Sequence, residues 1–165
     1  MINRVLRWIG FIVFIFILQT TIIPVIAIFG IKPDLLLITL ILFAFKTDVI
    51  PAVFTGFFVG LAQDFYSPEI LGANALVKSL SGFIAGFFNE KVMRIDPLFQ
   101  LALIALIFII HDAGYYLVQV FKTGNSFQLI GTELLTATLP RMLYSLFLAL
   151  IPVLWEYLFS SGSKR

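Results

Sequence analysis

The stretch GFFVGLAQDF, residues 56–65, places two glycines four residues apart and then a carboxylate inside an otherwise apolar segment. Glycine weakens a helix in water, and an aspartate is rarely buried without a partner. In a lipid bilayer, however, small residues allow two helix backbones to approach closely. The stretch therefore favours a membrane helix that packs against another helix through Gly56 and Gly60.

The composition of the whole chain is typical of an integral membrane protein. Of its 165 residues, 61% are hydrophobic and 12% are charged, and the mean hydropathy is +1.07. A soluble domain has about 25% charged residues, about twice the fraction found here. A separate soluble domain would also need on the order of 100 residues, and the chain has too few polar residues for one. We therefore expect one membrane domain over residues 1–165. The eleven Lys and Arg are scattered, which argues against a nucleic-acid partner. The absence of cysteine excludes disulfides and Cys-based metal sites.

Six apolar segments are candidates for the roughly 20 residues that cross a bilayer. They cover about residues 5–23, 34–46, 49–65, 72–88, 98–121 and 138–159. The first is longer than a signal-peptide core of roughly 7 to 15 residues, so we interpret it as a retained span. The second and third could form one kinked span, but Lys46 and Asp48 would then lie unpaired near the bilayer centre. The sequence predicts an all-α bundle of six transmembrane helices, the second of them tilted or partly re-entrant.

The basic residues near the span ends predict the orientation, because Lys and Arg are enriched on the cytoplasmic side. With the N-terminus inside, seven of them lie at cytoplasmic ends: Arg4, Arg7, Lys46, Lys91, Arg94, Lys164 and Arg165. The outer loops, of about residues 24–33, 66–71 and 122–137, carry only Lys32 and Lys122. Both termini are therefore predicted to be cytoplasmic.

The last outer loop is expected to contain a short interfacial helix between Gly131 and Thr138. Pro140 follows it, and a proline is tolerated best at the first position of a helix, where its missing N–H costs least. We therefore expect Pro140 to open the sixth span.

Gly82 and Gly86 repeat the four-residue spacing on the fourth predicted span. The third and fourth spans could pack on each other through these residues. Because only one pair needs to be internal, we expect Gly82 and Gly86 to pack inside the protein and Gly56 and Gly60 to face a partner.

Several polar side chains fall within the predicted spans: Asp64, Asn74, Lys78, His111, Asp112 and Arg141. Ionisable residues in spans usually face the bundle interior and pair with one another. We therefore expect Lys78 and Arg141 to point towards Asp64 or Asp112, with snorkelling to the outer interface as the alternative. For Asp64, an ordinary solvated helix end is an equal alternative.

The same residues argue against an enzyme. His111 precedes Asp112, and adjacent residues on a helix point about 100° apart, so we expect a poor hydrogen bond between them. A strained serine elbow, a second histidine and a His-x-x-x-His pair are all missing from the sequence. We expect no catalytic residue, no metal and no cofactor, and a polar cluster that fixes helix register or forms a site for a ligand or partner.

Two segments, KPDLLLITLILF (32–43) and GFFVGLAQDFYSPEILGANALVKSLSGFIAGF (56–87), resemble the rod shape-determining protein MreD family. The resemblance covers nearly the full length in size, span count and motif order. The motif places Pro-Asp before span two, Gly-x-x-x-Gly-x-x-x-Asp on span three and Leu-Gly at the start of span four. Its residues here are Pro33, Asp34, Gly56, Gly60, Asp64, Leu71 and Gly72. Asp112 and Pro152 fit more loosely, and Lys78, His111 and Arg141 are not carried over.

The resemblance implies a non-enzymatic subunit of the bacterial cell-elongation (Rod) complex in the inner membrane. Such a protein helps to maintain rod shape and to direct lateral peptidoglycan synthesis. Its implied direct partner is MreC, which has one span and a periplasmic coiled coil. Its implied wider partners, through the complex, are the MreB filament, the glycosyltransferase RodA and the transpeptidase partner of RodA.

A second class of protein remains an alternative. MreD-like chains are also similar in fold to the six-span substrate-binding subunits of energy-coupling-factor vitamin transporters. Asp64, Asn74, Lys78 and Arg141 could line a pocket for a small molecule near the outer face. The short outer loops argue against this alternative, because they are poorly suited to cover a vitamin.

Overall fold

The computed structural model describes residues 2–27, 30–66, 70–89, 96–124 and 128–161, and these ranges are helical without a β-strand. The helices are α1 (Ile2–Thr21), α2 (Leu35–Lys46), α3 (Val49–Tyr66), α4 (Ala73–Phe87), α5 (Pro97–Thr123), α6 (Gln128–Glu133) and α7 (Leu139–Ser161), with a π turn at Leu134–Thr138 between the last two. Four of the basic residues used to predict orientation lie outside the described residues: Lys91, Arg94, Lys164 and Arg165.

Three described helical segments are long and apolar enough to cross a membrane: Val49–Tyr66, Pro97–Thr123 and Ile130–Trp155. Two shorter apolar helices cover Arg7–Thr21 and Leu35–Lys46. All six predicted segments correspond to helices, with limits that differ by at most three residues. The predicted all-helical class is thus confirmed, and the long apolar helices are consistent with a membrane protein.

The helix limits follow from local sequence chemistry. Asp34 caps α2, because its side chain accepts a hydrogen bond from the Leu37 N–H, one of the donors that a helix start leaves without a partner. Pro97 occupies the first turn of α5, and Gly124, whose φ of +69° suits glycine, follows directly after the last helical residue.

Helix α2 lies at the centre of the molecule. Nine of its twelve residues are buried, and it packs against α1, α3, α4, α5 and α7. A short helix that is hydrophobic on every side fits this central position. The hydrophobic core surrounds it and includes Ile41, Phe45, Ile107 and Phe108.

Contacts at the two ends of the bundle show that consecutive long helices alternate in direction. At one end, the Tyr66 hydroxyl donates to the Thr20 carbonyl and brings the ends of α1 and α3 together. At the same end, the Tyr144 hydroxyl near the start of α7 donates to the Ile26 carbonyl. At the other end, Trp8 of α1 stacks edge-on against Phe43 near the end of α2, with ring centroids 5.1 Å apart.

The glycine pairs of α3 and α4 pack against the facing helix. A Cβ at Gly56 would overlap the Lys78 carbonyl, and one at Gly60 would overlap the Asn74 carbonyl. A Cβ at Gly82 would likewise clash with the Ala52 backbone, and one at Gly86 with Val49. The predicted close packing of the two spans is confirmed. The expectation that Gly56 and Gly60 face a partner was wrong, because both pairs belong to one internal seam.

The segment before α7 also differs from its prediction. The expected interfacial helix between Gly131 and Thr138 begins earlier, at Gln128, and continues through the π turn into α7. Pro140 therefore does not open the helix. In a regular α-helix the ring of Pro140 would crowd the carbonyl four residues before it. The π turn, in which Leu139 N–H donates to the Leu134 carbonyl, adds one residue and lets the helix continue across the proline.

Candidate functional site

Asp34 is the centre of a buried polar network where α2, α4, α5 and α7 meet. Its Oδ1 accepts from the Leu37 N–H at 2.8 Å, and its Oδ2 accepts from Lys78 Nζ at 2.9 Å and from Arg141 Nη2 at 3.0 Å. The backbone N–H of Asp34 donates to Ser145 Oγ at 3.1 Å. One residue at the start of α2 thereby connects three helices.

Asp112 on α5 is the second acid of the network. Its Oδ1 lies 2.8 Å from Nδ1 of His111 and 3.6 Å from Nη1 of Arg141. Its Oδ2 accepts from the Thr138 hydroxyl in the π turn at 2.9 Å. Arg141 therefore lies between two carboxylates, which ties α7 to α5 and to the start of α2.

The expectation of a poor bond between His111 and Asp112 was wrong. The two side chains diverge by about 100° at the backbone, but both extend around the surface of the helix. Nδ1 is the ring nitrogen nearer to the backbone, and it meets the carboxylate of the next residue at 2.8 Å. Nε2 points towards Lys78, 3.4 Å from its Nζ.

The network balances its charges and is almost closed to solvent. It holds two acids, Asp34 and Asp112, and two bases, Lys78 and Arg141. The side chains of Asp34 and Lys78 are 0% exposed, whereas that of Arg141 is 29% exposed. Removing charges from water is costly, and such a cluster is tolerated only when each charge has a partner and further hydrogen bonds.

Asp64 is also buried, but it lies outside this network and caps the start of α4. Its carboxylate accepts from the backbone N–H groups of Gly72, Asn74 and Ala75 at 3.0 to 3.1 Å, and from the Asn74 side-chain amide at 2.9 Å. These are the donors at the start of α4, which Gly72 itself cannot cap because it has no side chain. The alternative of a solvated helix end is therefore wrong.

The pairing predicted for the basic residues is correct for one of them. Arg141 faces Asp112, as expected, but it also binds Asp34. Lys78 binds Asp34, neither Asp64 nor Asp112. Asn74 and Lys78 share a face of α4 but contact different acids. Asp64 contacts Asn74 at the start of α4. Asp34, at the start of α2, contacts Lys78 one helical turn further along α4.

Sequence reasoning missed the central place of Asp34 and the roles of Thr138 and Gln19. The Gln19 side chain donates to the Pro33 carbonyl at 3.0 Å and accepts from the Leu35 N–H at 2.9 Å, which fastens α1 to the start of α2. An Asp followed by a largely apolar run is a helix-start signal, and it could have identified the cap. It could not have identified the two cations that reach the same carboxylate.

The polar atoms of the network are already occupied by contacts within the protein. Both oxygens of Asp34, both oxygens of Asp112 and both nitrogens of His111 contact protein groups. Within the described residues, no three His, Asp or Glu side chains are grouped so that they could hold a metal ion. Of the family-motif residues, Leu71 is exposed, whereas Asp34, Asp64 and both helical glycines are buried.

Comparison with known protein families gives a match over nearly the whole chain. The family model of the rod shape-determining protein MreD matches residues 1–161 of the 165-residue chain. Searches of curated proteins and of solved structures give no match.

Proposed function

Since the chain belongs to the MreD family, a family of rod shape-determining membrane proteins, we propose that it is a non-enzymatic subunit of the bacterial cell-elongation (Rod) complex. In this role it binds MreC directly, helps to maintain rod shape and directs lateral peptidoglycan synthesis. MreB, RodA and the transpeptidase partner of RodA associate with it through the complex.

The closed charge network is the observation that carries the non-enzymatic part of the proposal. Each acid of the network accepts hydrogen bonds from residues of other segments: Asp34 from α4 and α7, and Asp112 from the π turn. A general base or nucleophile needs a group that can reach a reacting atom. These groups instead hold helices together, which supports a structural subunit that acts by binding.

The bundle is proposed to cross the inner membrane six times, in a fold similar to that of the substrate-binding subunits of energy-coupling-factor transporters. The alternating helix directions support this count. The aromatic residues also support it, because Trp and Tyr favour membrane interfaces. Tyr66, Tyr116 and Tyr144 belong to the end where α3 and α5 finish and α7 starts, whereas Trp8 and Trp155 belong to the opposite end. The excess of Lys and Arg near the proposed inner ends supports an orientation with both termini in the cytoplasm.

The internal seam between α3 and α4 changes where a partner can bind. Because all four glycines face the other helix of the pair, the single span of MreC has to lie against a different surface of the bundle.

Co-purification tests the proposal. The chain is extracted in mild detergent with MreC from the same cell, and we expect MreC to be retained while lipid-linked cell-wall precursor added to the purified protein stays unchanged. Asp34→Asn is the matched variant, and it should retain less MreC because the bundle loosens. Recovery of a tightly bound vitamin without MreC would contradict the proposal and favour the transporter subunit.

A further inference from the structure

The chain contains a single histidine, His111, and both of its ring nitrogens are engaged inside the bundle. Nε2 lies 3.4 Å from Lys78 Nζ, and Nδ1 lies 2.8 Å from Asp112 Oδ1. A lysine ammonium has donors only, so Nε2 accepts from Lys78 and Nδ1–H donates to Asp112. These contacts assign a neutral ring with its proton on Nδ1.

The charges around the ring come from every helix that meets at the network. Lys78 reaches the ring from α4, Asp34 lies behind Lys78 at the start of α2, Asp112 is the neighbour on α5, and Arg141 reaches Asp112 from α7. Two acids and two bases balance while the ring is neutral.

A second proton on the ring would disturb this balance in two ways. Nε2 would become a donor and would face the ammonium of Lys78, which has no lone pair to accept it. The cluster would also gain one positive charge beside side chains that are at most 2% exposed. An uncompensated charge in such a place is costly unless the groups separate and admit water.

We propose that His111 makes the contact between α4 and α5 sensitive to protonation: Lys78 and His111 stay together while the ring is neutral and separate when it gains a proton. This device does not depend on the partner proposed above. It follows from the roles of the two ring nitrogens and from the burial of the groups around them.

The direction of the pH effect follows from linkage. In the unfolded chain a histidine takes up a proton near pH 6.5 without breaking any contact, whereas in the folded network the second proton breaks the contact between His111 and Lys78. Stability is therefore fully present above about pH 6.5 and decreases as the pH falls below it. Histidine is the side chain that ordinarily titrates between pH 5 and 8, so a single histidine allows the effect to be attributed to one residue.

Nitrogen-15 NMR of histidine-labelled protein, purified through a tag without histidine, tests the proposal on the unaltered chain. At pH 7.5 we expect the signals of a neutral ring protonated on Nδ1. As the pH is lowered to 5.5, we expect the ring to charge only together with a loss of amide exchange protection in α4 and α5, measured relative to the intrinsic exchange rate at each pH. A charged ring at pH 7.5, or charging near pH 6.5 with unchanged exchange protection in both helices, would overturn the proposal.

Two variants sharpen the test. The thermal midpoint of the unaltered protein should fall between pH 8 and 5.5, whereas that of His111→Gln should stay constant. In Lys78→Met the opposing cation is gone, so charging of the ring should no longer reduce the exchange protection of α4 and α5. Equal pH slopes for the unaltered protein and His111→Gln would contradict the proposal. If His111→Gln does not fold, the ring signals of the unaltered chain still decide.

Discussion

Asp34 is the residue on which the buried hydrogen bonds converge, since its side chain binds the start of its own helix and two cations from other helices. Lys78 is fully buried, and the nearest acid to it is Asp34. The loss of this one carboxylate would leave a buried ammonium facing only His111.

At Asp34, we expect Asp34→Asn to lower the free energy of unfolding by about 3 to 5 kcal/mol, the usual cost of breaking a buried ion pair from one side. Adding Lys78→Met should restore part of this loss, because Arg141 and Asp112 remain as a balanced pair. Thermal unfolding in detergent measures both values. A double variant no more stable than Asp34→Asn would show that the two side chains are not coupled.

At Asp64, we expect Asp64→Ala to destabilise the protein by about 1 to 3 kcal/mol for each N–H at the start of α4 that stays unsatisfied. Asp64 and Lys78 share no contact, so the effects of Asp64→Ala and Lys78→Met should add. Unfolding of the two single variants and the double variant checks this. Strong coupling would mean that Lys78 binds Asp64 instead of Asp34.

At the scale of elements, the pair α3 and α4 is packed backbone to backbone through four glycines. Gly56→Ala and Gly82→Ala should each destabilise the protein, because the added methyl group meets a carbonyl that belongs to a helix and cannot move aside. Gly10→Ala is the matched control: it lies in α1 with nothing within 4 Å of the added atom, and it should be neutral or slightly stabilising. Unfolding midpoints in one detergent compare the three, and a harmless Gly56→Ala would contradict the seam.

The elements themselves could be predicted from the sequence, because apolar runs and their polar or proline boundaries are local properties. The pairing between elements could not. Spacing places Lys78 on a face of α4, but it does not say that α2 lies opposite that face with Asp34 at its start. The π turn escaped prediction for a similar reason, since Pro140 is compatible with a helix start until the preceding turn is seen to be helical.

At the scale of the whole molecule, the proposed orientation can be tested by labelling the protein from outside the cell. The chain has no cysteine, so a single introduced cysteine is the only thiol of this protein that a maleimide can label. Lys32→Cys and Lys122→Cys should react with a membrane-impermeant maleimide added to cells with a permeabilised outer membrane. Thr47→Cys, in the turn between α2 and α3, should react only after lysis. Labelling of Thr47→Cys in intact cells would reverse the orientation.

The central claim is that the charge network serves a shape-determining protein by holding its helices together. The most direct measurement is cell shape in the native host after its own copy of this gene is replaced by variants produced at equal levels. We predict rods with the unaltered chain, rounded cells with Asp34→Asn, and recovery of rods when Lys78→Met is added to Asp34→Asn. Rounded cells with a double variant that is folded and present at the normal level would contradict the claim, because the charges would then be needed for more than the fold.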